Sequence, residues 1–314
     1  MIATVTLNPA VDKTIHTSRV VLGAVNRTED VVNIAGGKGI NVAKVLRQYG
    51  VDVKCLGFLG GYCGELIKES VEKMGAVNAF TSIEGETRTS INIISEDGYI
   101  TEFLEPGPSI SNEEIQSFVS NYERSIEDCE IVVISGSAPI GVESSIYADL
   151  ITIANDKGKK VLLDASGDNL KKGMYARPYM IKPNLKELEG LIGRRIQGMQ
   201  EVGVAASQLV EWGIPNVVVS MGSKGILYAK DTGEDCALYY VQAPSIRVVN
   251  SVGSGDSAVA AFAMSVLEGM TPEETVRKCV AISAANTMSI ENGHIDVEAA
   301  QKIEEGLTVC NPSC

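Results

Sequence analysis

The chain has few of the side chains on which hydrolytic and zinc chemistry depend. Only two of its 314 residues are histidine, His16 and His294, and neither lies in a pattern with serine or cysteine that is typical of nucleophilic catalysis. Seven cysteines are scattered without a Cys-x-x-Cys pair, which indicates neither a disulfide framework nor a zinc site. We therefore expect a reduced protein in the cytoplasm.

Positive charge is also scarce, because 27 lysines and arginines stand against 40 acidic residues and leave a formal net charge of -13. This charge argues against nucleic acid as a partner, since binding to a phosphate backbone needs a basic surface. No apolar run approaches the ~20 residues that cross a bilayer, and the first residues resemble a strand rather than a signal peptide. We expect no membrane partner.

Apolar residues make up 45% of the chain, enough for a full core. From about residue 130 onward, short apolar strands alternate with amphipathic helices, which predicts a doubly wound parallel sheet covered on both faces. Ligands of such sheets bind at the carboxyl ends of strands. The turns predicted at these ends are residues 8–9, 135–137, 183–184 and 220–222.

Residues 13–32 and 87–104 interrupt this pattern. They are rich in β-branched residues, alternate with polar residues, and lack helical periodicity. We expect them to pair as a small sheet outside a main domain of residues 1–12, 33–86 and 105–314. Such a sheet has one apolar face to cover, so it either closes over the active site or packs against a second subunit.

The most informative segment is residues 252–257, of sequence VGSGDS, which leads directly into an apolar helix. Two glycines let the backbone turn sharply, and the helix start offers unpaired N–H groups and a positive dipole end, which together suit a phosphate. Asp256 beside that phosphate suits the removal of a proton from a hydroxyl. The local alternative is an ordinary helix cap after a flexible turn.

A second glycine cluster, residues 36–41 with the sequence GGKGIN, also opens a helix. It matches neither the P-loop nor the dinucleotide-binding pattern. Lys38 lies at the positive end of a helix dipole, which is unfavourable unless an anion binds there. Asn41 is either a polar contact for a sugar hydroxyl or simply a first-turn helix residue.

For several other candidate site residues, a role in local structure is as simple an explanation as a role in binding. Asp12 follows a strand-end turn and can form an Asx-turn, whereas Arg88 and Arg27 can be solvated charges. Asn184 and Glu187 can form a capping box, or they can hold a hydrated Mg²⁺, which needs only one or two protein oxygens. The turn at residues 220–225 has glycines that would let a nucleotide approach closely.

Taken in order, these motifs resemble the PfkB, or ribokinase-like, family of carbohydrate kinases over essentially the whole chain. The matching segments are TLNPA-x-D at 6–12, GGKG-x-N at 36–41, GG-x-x-G at 60–64, TRT at 87–89, EPGP at 105–108, SGS at 135–137, KPN-x-x-E at 182–187 and G-x-GD at 253–256. Bacterial 1-phosphofructokinases and tagatose-6-phosphate kinases are the members most similar. The resemblance implies a three-layer α/β/α fold with a mainly parallel sheet and a small β-sheet lid.

The resemblance also implies the roles of individual residues. Asp256 would be the catalytic base, and the amides of Gly253, Ser254 and Gly255 would form an anion hole. The implied sugar-phosphate contacts are Asp12, Gly37, Lys38, Asn41, Arg88, Ser137 and Arg27. The implied nucleotide contacts are Asn184, Ser220, Gly222, Gly225 and Asn286. The resemblance favours Mg²⁺ over the capping box at 184–187, with Glu187 and Asn184 holding the ion through water. Ser254 replaces the alanine usual in the family, and Leu104 an asparagine.

These residues predict an ATP- and Mg²⁺-dependent kinase that converts fructose 1-phosphate to fructose 1,6-bisphosphate. A kinase for tagatose 6-phosphate or fructose 6-phosphate is the alternative within the family. A sugar-phosphate sensor without catalytic activity is the alternative from another class. We further expect a homodimer that pairs through the lid.

Overall fold

The computed structural model describes residues 1–28, 30–96 and 99–310. Glu29, Asp97 and Gly98 of the predicted lid lie outside the described residues, as does Cys314. The strands are β1 (Ile2–Thr6), β2 (Ala10–Thr17), β3 (Asp30–Gly36), β4 (Val53–Leu59), β5 (Val77–Asn78), β6 (Thr81–Ser82), β7 (Arg88–Ser95), β8 (Ile100–Leu104), β9 (Ile131–Ser135), β10 (Lys160–Asp164), β11 (Met180–Ile181), β12 (Asn216–Ser220), β13 (Ile226–Asp231), β14 (Cys236–Val241) and β15 (Val309–Cys310). The helices are α1 (Lys38–Gln48), α2 (Gly61–Lys73), α3 (Asn112–Ser125), α4 (Ile146–Asp156), α5 (Gly167–Tyr175), α6 (Leu185–Ile192), α7 (Gly198–Glu211), α8 (Ser254–Glu268), α9 (Pro272–Thr287) and α10 (Val297–Glu305).

The large sheet has the strand order β15-β14-β13-β12-β11-β10-β9-β1-β4-β5, with β6 also paired to β4. The strands from β12 through β5 in this order run parallel, whereas β13, β14 and β15 join antiparallel. Every residue of β1 and β9 is buried, because helices cover both faces of the sheet. The predicted doubly wound, mainly parallel fold is confirmed.

Two hydrophobic clusters lie on opposite faces of the sheet. Along β9, Ile131 and Val133 belong to one cluster, and Val132 and Ile134 belong to the other, as the alternation of strand side chains requires. Helices α1, α2, α8, α9 and α10 contribute to the first cluster, and α3 to α7 contribute to the second. The helices that begin at the two glycine-rich turns, α1 and α8, therefore pack on the same face, where they contact each other.

A separate four-stranded sheet has the order β3-β2-β7-β8. Its central strands β2 and β7 run parallel, and β3 and β8 pair antiparallel at the edges. Strands β2 and β3 extend beyond the first predicted lid segment, residues 13–32, since β2 starts at Ala10 and β3 ends at Gly36. Strands β7 and β8 lie within the second, residues 87–104. The small sheet is present, and its division from the main domain at the predicted boundaries stays a prediction.

No helix among the described residues has the length and apolar character needed to span a membrane. The described cysteines, which end at Cys310, form no disulfide with one another.

Candidate active site

Helix α8 begins at an exposed glycine turn that receives no side-chain cap from the described residues. Gly253, the N-cap residue, has φ of 82°, a left-handed conformation that glycine adopts without strain. The Ser254 hydroxyl donates to the carbonyl of Ser251 at 2.9 Å, so the hydroxyl that replaces the usual alanine methyl fixes this turn. Helices α3, α6 and α9 each start with a capping box, whereas α8 has no side-chain cap and, of its first-turn amides, that of Ser254 makes a long bond of 3.4 Å to the carbonyl of Ser251.

The Gly60-Gly61 turn before α2 differs, because the chain supplies its own anion there. The carboxylate of Glu86 accepts hydrogen bonds from the backbone N–H groups of Tyr62 at 3.2 Å and Cys63 at 2.7 Å. This helix start is thus already satisfied. Of the three glycine-rich helix starts, those of α1 and α8 have no such side-chain partner in the described part of the chain.

Asp256 lies one turn into α8 and is buried, with 6% of its surface exposed. The Asn41 side chain on α1 donates to its Oδ2 at 2.9 Å, so the two predicted site residues meet although 215 positions separate them. Burial, and next the nearby charge of Asp164, raise the pKa of Asp256 from 3.8 to about 6. A carboxylate with this pKa is ionised at neutral pH and accepts a proton more readily than an exposed one.

Asp164 and Lys182 join this cluster, although neither is in the predicted set. Asp164 ends β10 and is 1% exposed, and its Oδ1 lies 3.2 Å from the Nζ of Lys38 and 3.3 Å from the Nζ of Lys182. Burial opposes ionisation of Asp164, yet Lys182 and Lys38 together lower its pKa. The charge of Asp164 in turn raises the pKa of Lys38. In the sequence, the signal for Asp164 was its position as a single aspartate at the carboxyl end of an apolar strand.

Asp12 lies on β2 where the small sheet joins the main domain. Its carboxylate occupies the space that a side chain on Gly36 would fill, which explains a glycine at that strand end. Burial raises the pKa of Asp12, and the positive charges of Lys44 and Arg88 oppose this. The Arg88 side chain donates to the carbonyls of Asn8 at 3.2 Å and Glu105 at 3.1 Å, so it links the lid to two loops of the main domain.

Lys44 is a further site residue absent from the predicted set. It follows Asn41 by one helical turn, and its Nζ donates to the carbonyl of Asn292 at 3.4 Å. Burial lowers its pKa, whereas Glu291, Asp12 and Asp256 raise it. Helical spacing from Asn41 was the only signal for it in the sequence.

The turns predicted to bind a nucleotide lie together at the carboxyl ends of β11 and β12. The backbones of Asn184 and Ser220 form a bridge, and the N–H of Ser220 donates to the carbonyl of Pro183 at 3.0 Å. Gly225 has φ of 95°, and a side chain there would overlap the carbonyl of Val241. A close approach of backbone segments therefore requires that glycine.

The capping box of α6 is formed, as the local alternative predicts. Asn184 accepts from the N–H of Glu187, and the Glu187 carboxylate accepts from the N–H of Asn184, both at 2.9 Å. The negative charge of Glu187 also raises the pKa of Lys38, although by less than the charges of Asp164 and Asp256 do. Capping thus leaves Glu187 within electrostatic reach of the site.

The sequence also matches known carbohydrate kinases. A family model described as "pfkB family carbohydrate kinase" matches residues 5–294. The chain belongs to the PfkB family of carbohydrate kinases.

Its relatives and structural neighbours cover nearly the whole chain. Tagatose-6-phosphate kinase of Staphylococcus epidermidis is 38% identical over 312 residues, which are 98% of this chain and 99% of the relative. Phosphofructokinase-2 of Escherichia coli, in complex with substrates and products, superposes with a TM-score of 0.88 at 30% identity, covering 97% of this chain and 98% of that one. A Thermotoga maritima protein described as a possible 1-phosphofructokinase has a TM-score of 0.88 at 28% identity, covering 98% of each chain.

One predicted site residue of this PfkB chain, Arg27, lies apart from the cluster that the resemblance implies for it. Arg27 is exposed, and its carbonyl accepts from the Thr17 hydroxyl at 3.4 Å, at the far end of β2. Thr17 is five strand residues from Asp12, a separation of about 16 Å. An arginine side chain does not reach Asp12 over that distance within one chain.

Asn286 is 1% exposed, and both ends of its amide are engaged by backbone groups. Its Nδ2 donates to the carbonyl of Val252 at 2.8 Å, and its Oδ1 accepts from the N–H of Gly293 at 2.9 Å. These bonds fix the turn before Gly253, whose Cβ position lies 3.3 Å from the Oδ1 of Asn286. Ser137, by contrast, is exposed beside Gly136, whose Cβ position lies 3.9 Å from the Cβ of Lys38.

Proposed function

We propose that this PfkB kinase transfers the γ-phosphoryl group of ATP to a hydroxyl of a ketohexose phosphate, with fructose 1-phosphate as the first choice. The observation that carries the proposal is the buried Asp256, one turn into the uncapped helix α8 and hydrogen-bonded to Asn41. A base, an anion-binding helix start and a polar contact for a sugar hydroxyl thus meet within one hydrogen bond of each other.

In the proposed reaction the sugar hydroxyl oxygen attacks the γ-phosphorus of ATP, and the bond from that phosphorus to the bridging oxygen of ADP breaks. The hydroxyl proton passes to the Asp256 carboxylate. The amides of Gly253, Ser254 and Gly255 donate to the equatorial oxygens of the transferring group, and Lys38 faces it from α1. Because this transfer involves little covalent chemistry by the protein, positioning and charge stabilisation would supply most of the rate enhancement.

The two substrates would approach from opposite sides of this loop. Asp12 would accept from sugar hydroxyls and Asn41 would donate to them, and Lys38, Gly37 and Ser137 would border the same space. Arg88 provides positive charge at the root of the lid. Asn184, Ser220, Gly222 and Gly225 would border the nucleotide, because their turns lie at neighbouring strand ends.

The residues present fit a magnesium ion that few protein oxygens hold. No three His, Cys, Asp or Glu side chains among the described residues could together hold a metal. A hydrated Mg²⁺ needs only one or two protein oxygens. Glu187 and Asn184 would hold it through water at the start of α6. When bound, Mg²⁺ would neutralise charge on the phosphates of ATP.

Two alternatives remain testable. Tagatose 6-phosphate or fructose 6-phosphate would bind to the same basic residues, with the sugar in the opposite orientation. The 38% identity to a tagatose-6-phosphate kinase favours this alternative. A sugar-phosphate sensor would have no need of the buried base, and the complete cluster around Asp256 argues against it.

We also propose a homodimer that pairs through the small sheet. Val31 and Phe103 expose 41% and 57% of their surface on its edge strands. They lie on the same face of the sheet as Ile15, Ile91 and Ile93, as the strand register requires. An apolar face of this kind is normally covered. A second copy would cover this face. It could also bring its Arg27 to the sugar site of the first copy, since Arg27 does not reach the sugar site of its own chain.

The test is an ADP-release assay with ATP and Mg²⁺ against fructose 1-phosphate, fructose 6-phosphate and tagatose 6-phosphate. A kcat/KM for fructose 1-phosphate at least about tenfold above the others, or about 1.4 kcal/mol, supports the first choice. Asp256→Asn should lower kcat by about a hundredfold or more. Asp168→Asn, an exposed aspartate in the first turn of α5, is the matched control and should leave kcat unchanged. Turnover of none of the three sugars would favour the sensor.

A further inference from the structure

Two lysines share one buried carboxylate oxygen at the centre of the sheet. The Oδ1 of Asp164 lies 3.2 Å from Lys38 Nζ and 3.3 Å from Lys182 Nζ. The three side chains come from the start of α1, the end of β10 and the residue after β11. Lys182 is 5% exposed and Asp164 1%, so this ion pair is shielded from bulk water.

The cluster lies directly against the anion-binding turn. A Cβ built on Gly255 would be 3.2 Å from Lys182 Nζ, so the ammonium group of Lys182 faces the backbone at the start of α8. The other oxygen of Asp164, Oδ2, is buried and accepts no hydrogen bond from the part of the chain that the structure describes. Asp164 therefore holds the lysines and makes no other described side-chain bond.

The charges of the cluster change during the proposed reaction. With Asp164 and Asp256 ionised, two negative charges balance those of Lys38 and Lys182. Once Asp256 has accepted the hydroxyl proton, one negative charge remains against two positive ones. The surplus positive charge then faces the transferred phosphoryl group, where negative charge must be stabilised.

We propose that Lys182 is a further catalytic residue that binds the transferring phosphoryl group, and that Asp164 is the positioning residue that directs Lys182 and Lys38 towards it. This inference rests on the proposed function, because it assumes transfer over the turn before Asp256. A lysine side chain has four rotatable bonds, and a carboxylate fixed at a strand end removes that freedom before the substrate binds. A preorganised cation costs no reorganisation during the reaction.

The charges of the cluster also predict a pH signature, whereas the split between kcat and KM and the rescue by arginine separate a catalytic Lys182 from a purely structural one. The charged groups facing Asp256 are Asp164, Lys38, Lys182 and Lys44. Burial and then Asp164 raise the pKa of Asp256, whereas Lys182 lowers it. Because the base must be ionised, Asp164→Asn should move the acid limb of kcat/KM to lower pH, and Lys182→Met should move it to higher pH.

The experiment measures kcat, both KM values and the pH profile for Asp164→Asn, Lys182→Met and Lys182→Arg. Asp164→Asn and Lys182→Met should each lower kcat by at least about tenfold, as expected for loss of one group that stabilises transition-state charge. The KM for the sugar phosphate should change by less than about threefold, and Lys182→Arg should recover part of kcat. Glu268→Gln is the matched control. Glu268 ends α8, far from the glycine turn, and its carboxylate lies 2.7 Å from the Nζ of another buried lysine, Lys278.

The outcomes separate this inference from the proposed function. If the wild type is active and Asp256→Asn is not, yet Asp164→Asn and Lys182→Met keep wild-type kcat, the inference is wrong and the function stands. The same holds if the two acid limbs do not move in opposite directions. If no sugar phosphate is turned over, both fail. Should Asp164→Asn not fold by circular dichroism, the two Lys182 variants decide by kcat, by rescue and by the direction of the pH shift.

Discussion

Replacing Asp256 with asparagine should lower kcat by about a hundredfold or more and, at neutral pH, stabilise the folded protein. In the folded state, burial and next the charge of Asp164 raise the pKa of Asp256 from 3.8 to about 6. Folding therefore favours the protonated form. The stabilising effect of that proton is complete below the unfolded pKa of 3.8 and is lost as the pH rises through 6, so the ionised group destabilises the protein above pH 6.

The magnitude follows from the two pKa values. A shift of about two units, at 1.36 kcal/mol each, corresponds to about 3 kcal/mol of free energy of unfolding. The Asp256→Asn variant is neutral at every pH and should gain that amount at pH 8. With an unfolding entropy of about 2.1 cal/mol/K per residue, the gain is a rise in Tm of about 5 °C for 314 residues.

Thermal unfolding of wild type and variant at pH 8, 6 and 4.5 measures this effect. The gain should be largest at pH 8 and should shrink steadily towards pH 4.5, where the folded wild type is largely protonated and the unfolded chain partly so. Asp168→Asn removes an exposed first-turn aspartate and should show no comparable gain. A variant that melts at or below the wild-type temperature at pH 8, or whose gain does not depend on pH, would refute the reasoning.

Two further predictions concern the sugar site and the small sheet. Gly36→Ala places a methyl group where the Asp12 carboxylate lies and should raise the KM for the sugar phosphate by about tenfold or more, the equivalent of one charged hydrogen bond. Gly190→Ala, a helical glycine with open space around it, is the control in steady-state kinetics. Phe103→Lys should shift sedimentation from dimer to monomer, whereas Tyr175→Lys, on an exposed residue of α5, should not. A Phe103→Lys variant that sediments as the wild type does would contradict pairing through the small sheet.

The parts of the site formed by short-range patterns could be predicted from the sequence. Glycine turns that open helices, and polar residues just after buried strands, are local signals, and parallel strands bring their carboxyl ends to one edge. That rule is sufficient to bring the turns at Asn184 and Ser220 together, and their backbones form a bridge. The hydrogen bond between Asn41 and Asp256 depends instead on the packing of α1 against α8. Local signals also predicted the capping box of Asn184 and Glu187, since capping depends on a spacing of three residues.

The ion cluster could not be predicted in the same way. Asp164 is one acidic residue after two leucines, and its function depends on which strands lie beside β10 and on the approach of α1. Asn286 was assigned to the nucleotide from the resemblance alone. Its bonds to Val252 and Gly293 depend on tertiary packing, which the sequence does not show. The position of Arg27 depends on the length of β2, which the sequence alone did not define.

Short strands close both edges of the large sheet. At one edge lies β5, with two residues, and at the other lies β15, whose Val309 and Cys310 pair with Val241 and Tyr240 of β14. A two-residue edge leaves little backbone free to recruit a strand from another molecule, which limits aggregation. Behind β15, the strand β14 has the sequence CALYYV, six residues without charge or proline and rich in β-forming side chains. Loss of β15 would thus turn a protected interior strand into an aggregation-prone edge.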